Sequence, residues 1–137
     1  MNLGDVLYYY DHQFPDGGHA DKLFIVISDP SQANVVLVMV TSHGKDANNK
    51  GCQPNPKKFL FKKGEDGFPK DTWVDLARNI DTRATDRVQS AIDSGKVVVK
   101  STLSTQRVNE IRNCLTRHAI ENLTRGACET LGVTPKW

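Results

Sequence analysis

A single apolar run constrains the fold of this chain more than any other feature. Residues 35–40 are six consecutive apolar residues, of which four are β-branched. Such a run is too short for a helix and is typical of a strand buried on both faces of a sheet. The apolar character ends abruptly at residues 41–44, which carry two hydroxyls, an imidazole and a glycine. We therefore expect any chemistry of this protein at the rim of the sheet, where this strand ends.

Further strand signals lie on both sides of this run. Aromatic, β-branched or alternating residues predict strands at 4–10, 23–28, 58–62, 72–76 and 96–100. Within the segment 72–76, Asp75 faces opposite to Val74 and Leu76, so a lone carboxylate projects from one side of that strand. Residues 45–56 are rich in Asn, Lys, Gly and Pro and predict a long loop, which in a compact domain is more often functional than idle.

Two helices are predicted towards the end of the chain. Residues 84–95 combine helical spacing of apolar residues with a glycine stop. Ser104 is a good N-cap for the second helix, and Leu103 and Val108 are spaced to form a hydrophobic staple. Apolar residues then recur at helical steps, which predicts one long helix over about 104–125 or longer. Strands without βαβ alternation predict a mainly β fold, a small, strongly bent antiparallel barrel with helical additions in one domain over residues 1–137.

Composition places the chain among ordinary globular proteins. Its 137 residues are 38% hydrophobic and 25% charged. A chain of this length can bury a hydrophobic core without the help of disulfides or a metal. No apolar run approaches the ~20 residues that span a bilayer, and the first residues lack a secretory signal, so we expect a cytoplasmic protein that does not enter the membrane. The odd number and wide spacing of Cys52, Cys114 and Cys128 favour reduced thiols over a disulfide framework or a zinc site.

Charge is unevenly distributed along the chain, although the net charge is only +2. Residues 5–29 carry five acidic side chains against one lysine, whereas residues 45–70 carry seven lysines against three acidic side chains. A lysine cluster beside a polar strand end can contact phosphate groups, although lysines in a loop are also often simply solvated.

Four segments, taken in order, resemble the MazF/PemK (Kid-like) family of toxins. Gly4-Asp5-Val6 is similar to the family's opening Gly-Glu/Asp-Ile/Val, and Gly18-His19 to a Gly-His that precedes the second strand. Residues 38–44, Val-Met-Val-Thr-Ser-His-Gly, are similar to Val-x-Val-Thr-Ser-x-Gly. Residues 75–81, Asp-Leu-Ala-Arg-Asn-Ile-Asp, are similar to Asp-Gln-Pro-Arg-Thr-Ile-Asp. The resemblance covers roughly residues 4–116.

The resemblance implies an SH3-like barrel, usually a homodimer, that cleaves single-stranded RNA without a metal or other cofactor. In that reaction the ribose 2′-OH attacks the adjacent phosphate and leaves a 2′,3′-cyclic phosphate and a free 5′-OH. The reaction needs a base near the 2′-OH, an acid near the leaving oxygen, and donors for the phosphate charge. The resemblance further implies a type II toxin–antitoxin system, in which a flexible acidic antitoxin protein covers the groove that binds the RNA.

The family's motifs assign roles to particular residues. Asp75 matches the base, Thr41 and Ser42 match the hydroxyl pair that contacts the phosphate, and His19 matches an assisting or RNA-binding histidine. The side chains expected to bind RNA are Lys22, His43, Lys45, Lys57, Lys58 and Arg78. A metal site is not expected, because the spacing of His12, His19, His43 and Cys52 matches no zinc pattern.

Two departures from the family pattern bear on activity. Trp73 stands where PemK-type members carry an arginine that acts as acid and phosphate stabiliser, and an indole cannot take over that role. Lys22 stands where many relatives carry an arginine, and it keeps the charge but loses the bidentate fork. The sequence therefore leaves open a non-catalytic barrel that binds protein or nucleic acid.

Structural roles also remain open for the same residues. Asp75 could be an ion-pair partner of Arg78 or Lys22. Thr41 and Ser42 could end the strand by hydrogen-bonding to nearby backbone. Trp73 could belong to the core or an interface, or stack on a base.

Overall fold

A computed structural model describes residues 1–13, 16–41, 51–54, 57–77 and 80–134, without the side chains at positions 54 and 57. The strands are β1 (Asp5–Gln13), β2 (His19–Val26), β3 (Asn34–Thr41), β4 (Gly51–Pro54), β5 (Lys57–Phe61), β6 (Thr72–Asp75), β7 (Ile80–Ala84) and β8 (Val97–Thr102). The α-helices are α1 (Thr85–Asp93), α2 (Thr105–His118) and α3 (Arg125–Leu131), and short 3₁₀ turns span Glu65–Gly67 and Ile120–Asn122. Among the described residues, none of the helices combines the length and the hydrophobicity that spanning a bilayer requires.

The strands form one antiparallel sheet around β3. The order is β4-β5-β6-β3-β2-β1-β8, and β7 also pairs with β3. On one side β3 pairs with β2; on the other, its C-terminal end pairs with β6 and the rest with β7. This confirms the predicted mainly β, antiparallel architecture. Among the described strands the path is open, with β4 and β8 at its ends.

Both faces of the sheet are covered, which explains the unbroken apolar run in β3. Every residue from 35 to 40 is buried. On one face, Val36, Val38 and Val40 belong to a core that includes residues of α2 and α3. On the opposite face, Val35, Leu37 and Met39 pack in a smaller core with Val88 of α1. We call these the α2 face and the α1 face, respectively.

The helices follow the sequence signals closely until the end of α2. The Ser104 hydroxyl accepts a hydrogen bond from the Arg107 backbone N–H at 3.1 Å, which confirms the predicted N-cap. The predicted long helix instead ends at His118, and α3 begins after Thr124, whose hydroxyl accepts a hydrogen bond from the Ala127 N–H at 3.1 Å. Apolar spacing continues into α3 because both helices cover the α2 face, and this continuity hides the break.

Two strands were not predicted. β4 lies inside the segment predicted to be a loop, and the rest of that loop, residues 45–50 and 55–56, lies outside the described residues. β7 reads Ile-Asp-Thr-Arg-Ala, and none of its residues is fully buried. Since a strand is recognised by its buried side chains, β7 gives almost no signal in the sequence.

The prediction of reduced cysteines is wrong for two of the three. Cys52 of β4 and Cys114 of α2 form a disulfide, with their Cα atoms 5.6 Å apart and 62 positions apart in sequence. Cys128 is free and buried. The spacing of the cysteines could not reveal this pair, because it depends on α2 packing against a strand that the sequence did not predict.

Candidate functional site

Thr41 and Asp75, two of the predicted catalytic residues, lie on the α1 face of the sheet. Thr41 pairs with Trp73 across β3 and β6, and Asp75 follows two residues later on the same side of β6. Such diagonal neighbours have Cα atoms about 7–8 Å apart. Val74 and Leu76, in contrast, are fully buried on the α2 face, which confirms the predicted alternation. The fold therefore brings a hydroxyl and a carboxylate to one side of the sheet.

Asp75 has two neighbours that define its surroundings. It lies directly opposite Lys58 in the β5–β6 ladder, where facing Cβ atoms are about 4.5–5.5 Å apart. Its Oδ1 accepts a hydrogen bond from the Ala77 backbone N–H at 2.9 Å, which shapes the turn out of β6. A predicted RNA-binding lysine thus lies across from the predicted base.

Lys22 joins the same face from the other side of β3. Leu23 pairs with Val40, so the next position in this antiparallel register places Lys22 beside Thr41. On its other side Lys22 pairs with Tyr9 of β1. One row therefore crosses four strands, in the order Tyr9, Lys22, Thr41 and Trp73. Trp73 is 5% exposed, so the residue at the position that the sequence resemblance matched to an arginine is buried.

A cavity of about 330 Å³ borders this row at Lys22 and Thr41, while Leu23, Val40 and Phe68 of its lining belong to the core of the α2 face. It is lined by Lys22, Thr41, Tyr8, Asp21, Leu23, Val40, Phe68, Pro69, Lys70 and Thr72. Asp75 does not line this cavity. Of the predicted catalytic residues that the structure describes, Thr41 alone lines it, together with Lys22 and Lys70. Two ammonium groups, of Lys22 and Lys70, and three hydroxyls, of Tyr8, Thr41 and Thr72, surround an apolar floor, which suits a ligand that is both anionic and partly apolar.

Asp21 contributes a fixed negative charge to the edge of that cavity. Its carboxylate accepts hydrogen bonds from the Asp11 backbone N–H at 2.8 Å and from the Tyr8 hydroxyl at 2.9 Å. The bond from Asp11, followed by the bond from Tyr8, lowers the pKa of Asp21. Both bonds favour the charged form, so this carboxylate accepts hydrogen bonds throughout the neutral pH range.

His19 is not brought to the α1 face. It pairs with Gln13 at the start of β2, and alternation turns it away from Lys22. Its Nδ1 lies 3.3 Å from the Asp11 carboxylate, and its side chain is 47% exposed. The structure therefore separates His19 from Thr41 and Asp75.

His12 lies on the α1 face instead, and the sequence analysis missed it. The register of β1 shifts between Tyr9 and His12, where Asp11 has a φ of 54°. This bulge turns the His12 ring to 5.1 Å from the Phe24 ring, centroid to centroid. Burial lowers the pKa of His12, and the nearby Arg83 lowers it further. A bulge of this kind leaves no clear mark in a sequence, so the orientation of His12 could not be predicted.

β7 adds two more charged residues that were missed. The Arg83 guanidinium is 5.0 Å from the Tyr9 ring centroid and 5.4 Å from that of Phe24. It also forms an ion pair of 2.9 Å with Asp81. Alternation in β7 directs both side chains to the α1 face, but this pattern acquires meaning only once the strand is known.

The remaining predicted residues are only partly covered by the structure. Ser42, His43, Lys45 and Arg78 lie outside the described residues, as does the side chain of Lys57. Within the described ranges, no group of three His, Cys, Asp or Glu side chains is placed to hold a metal ion.

Comparisons with known proteins bear on the fold. No protein-family profile and no curated protein sequence matches the chain. A chain in the crystal structure of MazE–MazF (form III) from Deinococcus radiodurans does match, with 12% sequence identity, 98% of each chain covered and a TM-score of 0.53. Likeness at this level of identity concerns the fold rather than the activity. The antiparallel sheet with its three helices therefore has a MazF-like fold.

Proposed function

We propose that this protein is the toxin of a type II toxin–antitoxin system and cleaves single-stranded RNA without a metal. The observation that carries the proposal is the presence of Thr41 and Asp75 on one face of a MazF-like sheet, with Lys22 beside the first and Lys58 opposite the second. These are the residue types that attack by a ribose 2′-OH requires: a base, a phosphate donor and cations.

The proposed reaction assigns one role to each of these groups. Asp75 takes the proton of the ribose 2′-OH, whose oxygen attacks the adjacent phosphorus. Thr41 donates a hydrogen bond to the phosphate, and Lys22 offsets its growing negative charge. The bond from phosphorus to the 5′-oxygen then breaks, and the Lys22 ammonium protonates that oxygen. Lys58, directly opposite Asp75 in the β5–β6 ladder, adds positive charge near the reacting phosphate.

The proposal extends to the partners of the protein. The lysine-rich segment 45–70 would hold the RNA backbone, since lysines contact phosphates without sequence preference. A homodimer and a flexible, acidic antitoxin that covers the groove complete the proposal, and we expect both in the cytoplasm. The fold likeness to a chain solved with MazE and MazF supports this assignment.

The experiment compares RNA cleavage by the wild type and three variants in EDTA. Asp75→Asn and Thr41→Val are expected to reduce the cleavage rate by about 10²–10⁴-fold each, because a positioned base or donor contributes on that scale. Glu129→Gln is the matched control, since Glu129 is exposed on α3, which covers the α2 face. This variant should cleave RNA at the wild-type rate. Unchanged cleavage by Asp75→Asn would remove Asp75 from the mechanism.

A second candidate function is binding without catalysis. Two observations favour it: Trp73 is buried where the family's arginine would act, and one oxygen of Asp75 already serves the turn at Ala77. This candidate predicts that folded wild-type protein free of antitoxin binds RNA or protein through the same face but cleaves no RNA. Binding that weakens in Lys22→Ala, together with absent cleavage, would establish it.

A further inference from the structure

Another cavity, on the α1 face itself, has features that the proposed reaction does not use. It encloses about 590 Å³ and is lined by Tyr9, Thr82, Arg83, Ala84, Arg87, Val88 and Ala91. It therefore lies between the end of β1, β7 and the first turns of α1. Two guanidinium groups and an apolar floor share its walls, a combination that suits an anionic ligand with an apolar part.

Arg83 is held in place, yet it remains accessible. Its ion pair with Asp81 and its position over the Tyr9 ring fix the guanidinium, while the side chain is still 30% exposed. A guanidinium fixed in this way loses little conformational entropy when it binds an anion. Because Asp81 already binds one nitrogen of the Arg83 guanidinium and partly neutralises its charge, a bound anion needs a second cation.

Arg87 supplies that second cation. It lies in the first turn of α1, is exposed, and lines the same cavity as Arg83. Ala84, the N-cap of α1, also lines the cavity and provides no capping side chain. The start of a helix favours anions through its backbone N–H groups and its dipole. Arg87 and the helix terminus therefore reinforce each other.

Tyr9 provides an observation independent of these charges. Its hydroxyl is buried and no described group accepts its proton, since the nearby Arg83 guanidinium can only donate to it. Burial raises the pKa of Tyr9, so the hydroxyl keeps its proton and remains a donor. A buried donor without an acceptor is costly, and Tyr9 lines this cavity, so a ligand oxygen bound against it could accept that hydrogen bond.

We propose that this cavity binds a phosphate group of a nucleic-acid strand. On the proposed function, this is a phosphate of the RNA substrate close to the one that is cleaved, so the identification of the strand as substrate rests on that function. Tyr9 and Thr41 are separated by Lys22 in one row across neighbouring strands, which corresponds to about 10 Å at the usual strand spacing. A nucleic-acid strand crosses such a distance in one or two nucleotides. The continuous row favours a strand with regularly spaced phosphates over isolated carboxylates of an acidic protein.

The test measures RNA binding separately from cleavage. The Asp75→Asn protein is titrated with a short fluorescein-labelled single-stranded RNA at several salt concentrations. Adding Arg87→Ala should weaken RNA binding about tenfold. It should also reduce the salt slope, the steepness with which the logarithm of the binding constant falls with the logarithm of the salt concentration, by about 0.7, the value for one phosphate contact on a single strand. Arg87→Lys should keep the slope while losing part of the affinity. Arg125→Ala is the matched control, because Arg125 is an exposed arginine on α3 at the opposite face, and it should change neither value.

The outcomes separate this proposal from the proposed function. A reduced slope on adding Arg87→Ala, together with a folded wild type that cleaves no RNA, would support the phosphate site while refuting the nuclease. Active cleavage with an unchanged slope and affinity in Arg87→Ala would overturn the phosphate site alone. Loss of dimers, or weaker binding of an acidic peptide with unaltered RNA binding, would assign the cavity to a protein partner and also overturn the proposal.

Discussion

Breaking the disulfide between Cys52 and Cys114 should cost a large part of the stability of this protein. The bond closes a loop of 62 residues. The chain-entropy relation gives about 14 cal/mol/K for a loop of this length, or about 4 kcal/mol at 25 °C, near the upper end of the usual range. With an unfolding entropy of about 2.1 cal/mol/K per residue over 137 residues, this corresponds to a fall in Tm of about 15 °C.

The assay compares one protein in two redox states. Oxidised protein is unfolded in urea with and without a reductant, and the free energy of unfolding is extrapolated to water. Thiol titration of the denatured, oxidised protein should find a single free thiol, that of Cys128. Cys128→Ala is the control, because it leaves the disulfide intact and should retain the full difference between the two states.

The disulfide also links stability to the candidate site. It ties β4 to α2, and β4 pairs with β5, which carries Lys58 opposite Asp75. Reduction should therefore loosen the strand that supports Lys58 as well as destabilise the fold. Three titratable thiols in the oxidised protein, or equal stability in the two redox states, would refute this reasoning.

Three further predictions concern individual contacts. Ser104→Ala should lower the free energy of unfolding by about 0.5–2 kcal/mol in urea titrations, because it removes the N-cap of α2. Leu115→Ala should cost about 2–5 kcal/mol in the same assay, since Leu115 is 1% exposed in the core of the α2 face. An NMR titration should place the pKa of Asp21 below its ordinary value of 3.8, because the Asp11 N–H and the Tyr8 hydroxyl both bond to the carboxylate. Tyr8→Phe should raise that pKa part of the way back. Because the pKa of Asp21 is lower in the folded protein, its charged carboxylate stabilises the fold above pH 3.8, and this stabilisation is lost as the pH falls through the folded pKa. Tyr8→Phe should therefore be less destabilising in acid than at neutral pH.

Strands with buried residues could be predicted from the sequence, and polar ones could not. The apolar run of β3 and the alternation around Asp75 carry a periodic signal that burial imposes. β7 has no fully buried residue, so it gives no such signal, although it delivers Arg83 to the α1 face. Periodicity also failed to show the break between α2 and α3, because both helices bury residues in one core.

The candidate site shows the same division. Thr41 and Asp75 could be placed on one face from strand alternation and the motif resemblance. His12 could not be placed, because a bulge near Asp11 decides which face it takes, and His19 could not, because β2 begins four residues before the predicted strand. The contact of Cys52 with Cys114 likewise depends on the packing of α2 against β4. Register shifts and long-range packing are properties of the folded chain, and local sequence patterns carry little information about either.

The most direct test of the proposed function replaces a single ribose by deoxyribose at a mapped cleavage position in an RNA substrate. If the 2′-OH is the nucleophile, cleavage at that position should stop while neighbouring positions are still cut, and the fragments of unmodified RNA should end in 2′,3′-cyclic phosphates. Cleavage that continues at the deoxyribose, or a folded, antitoxin-free wild type that cuts no RNA in EDTA, would contradict the assignment of Thr41 and Asp75 to a metal-independent ribonuclease site.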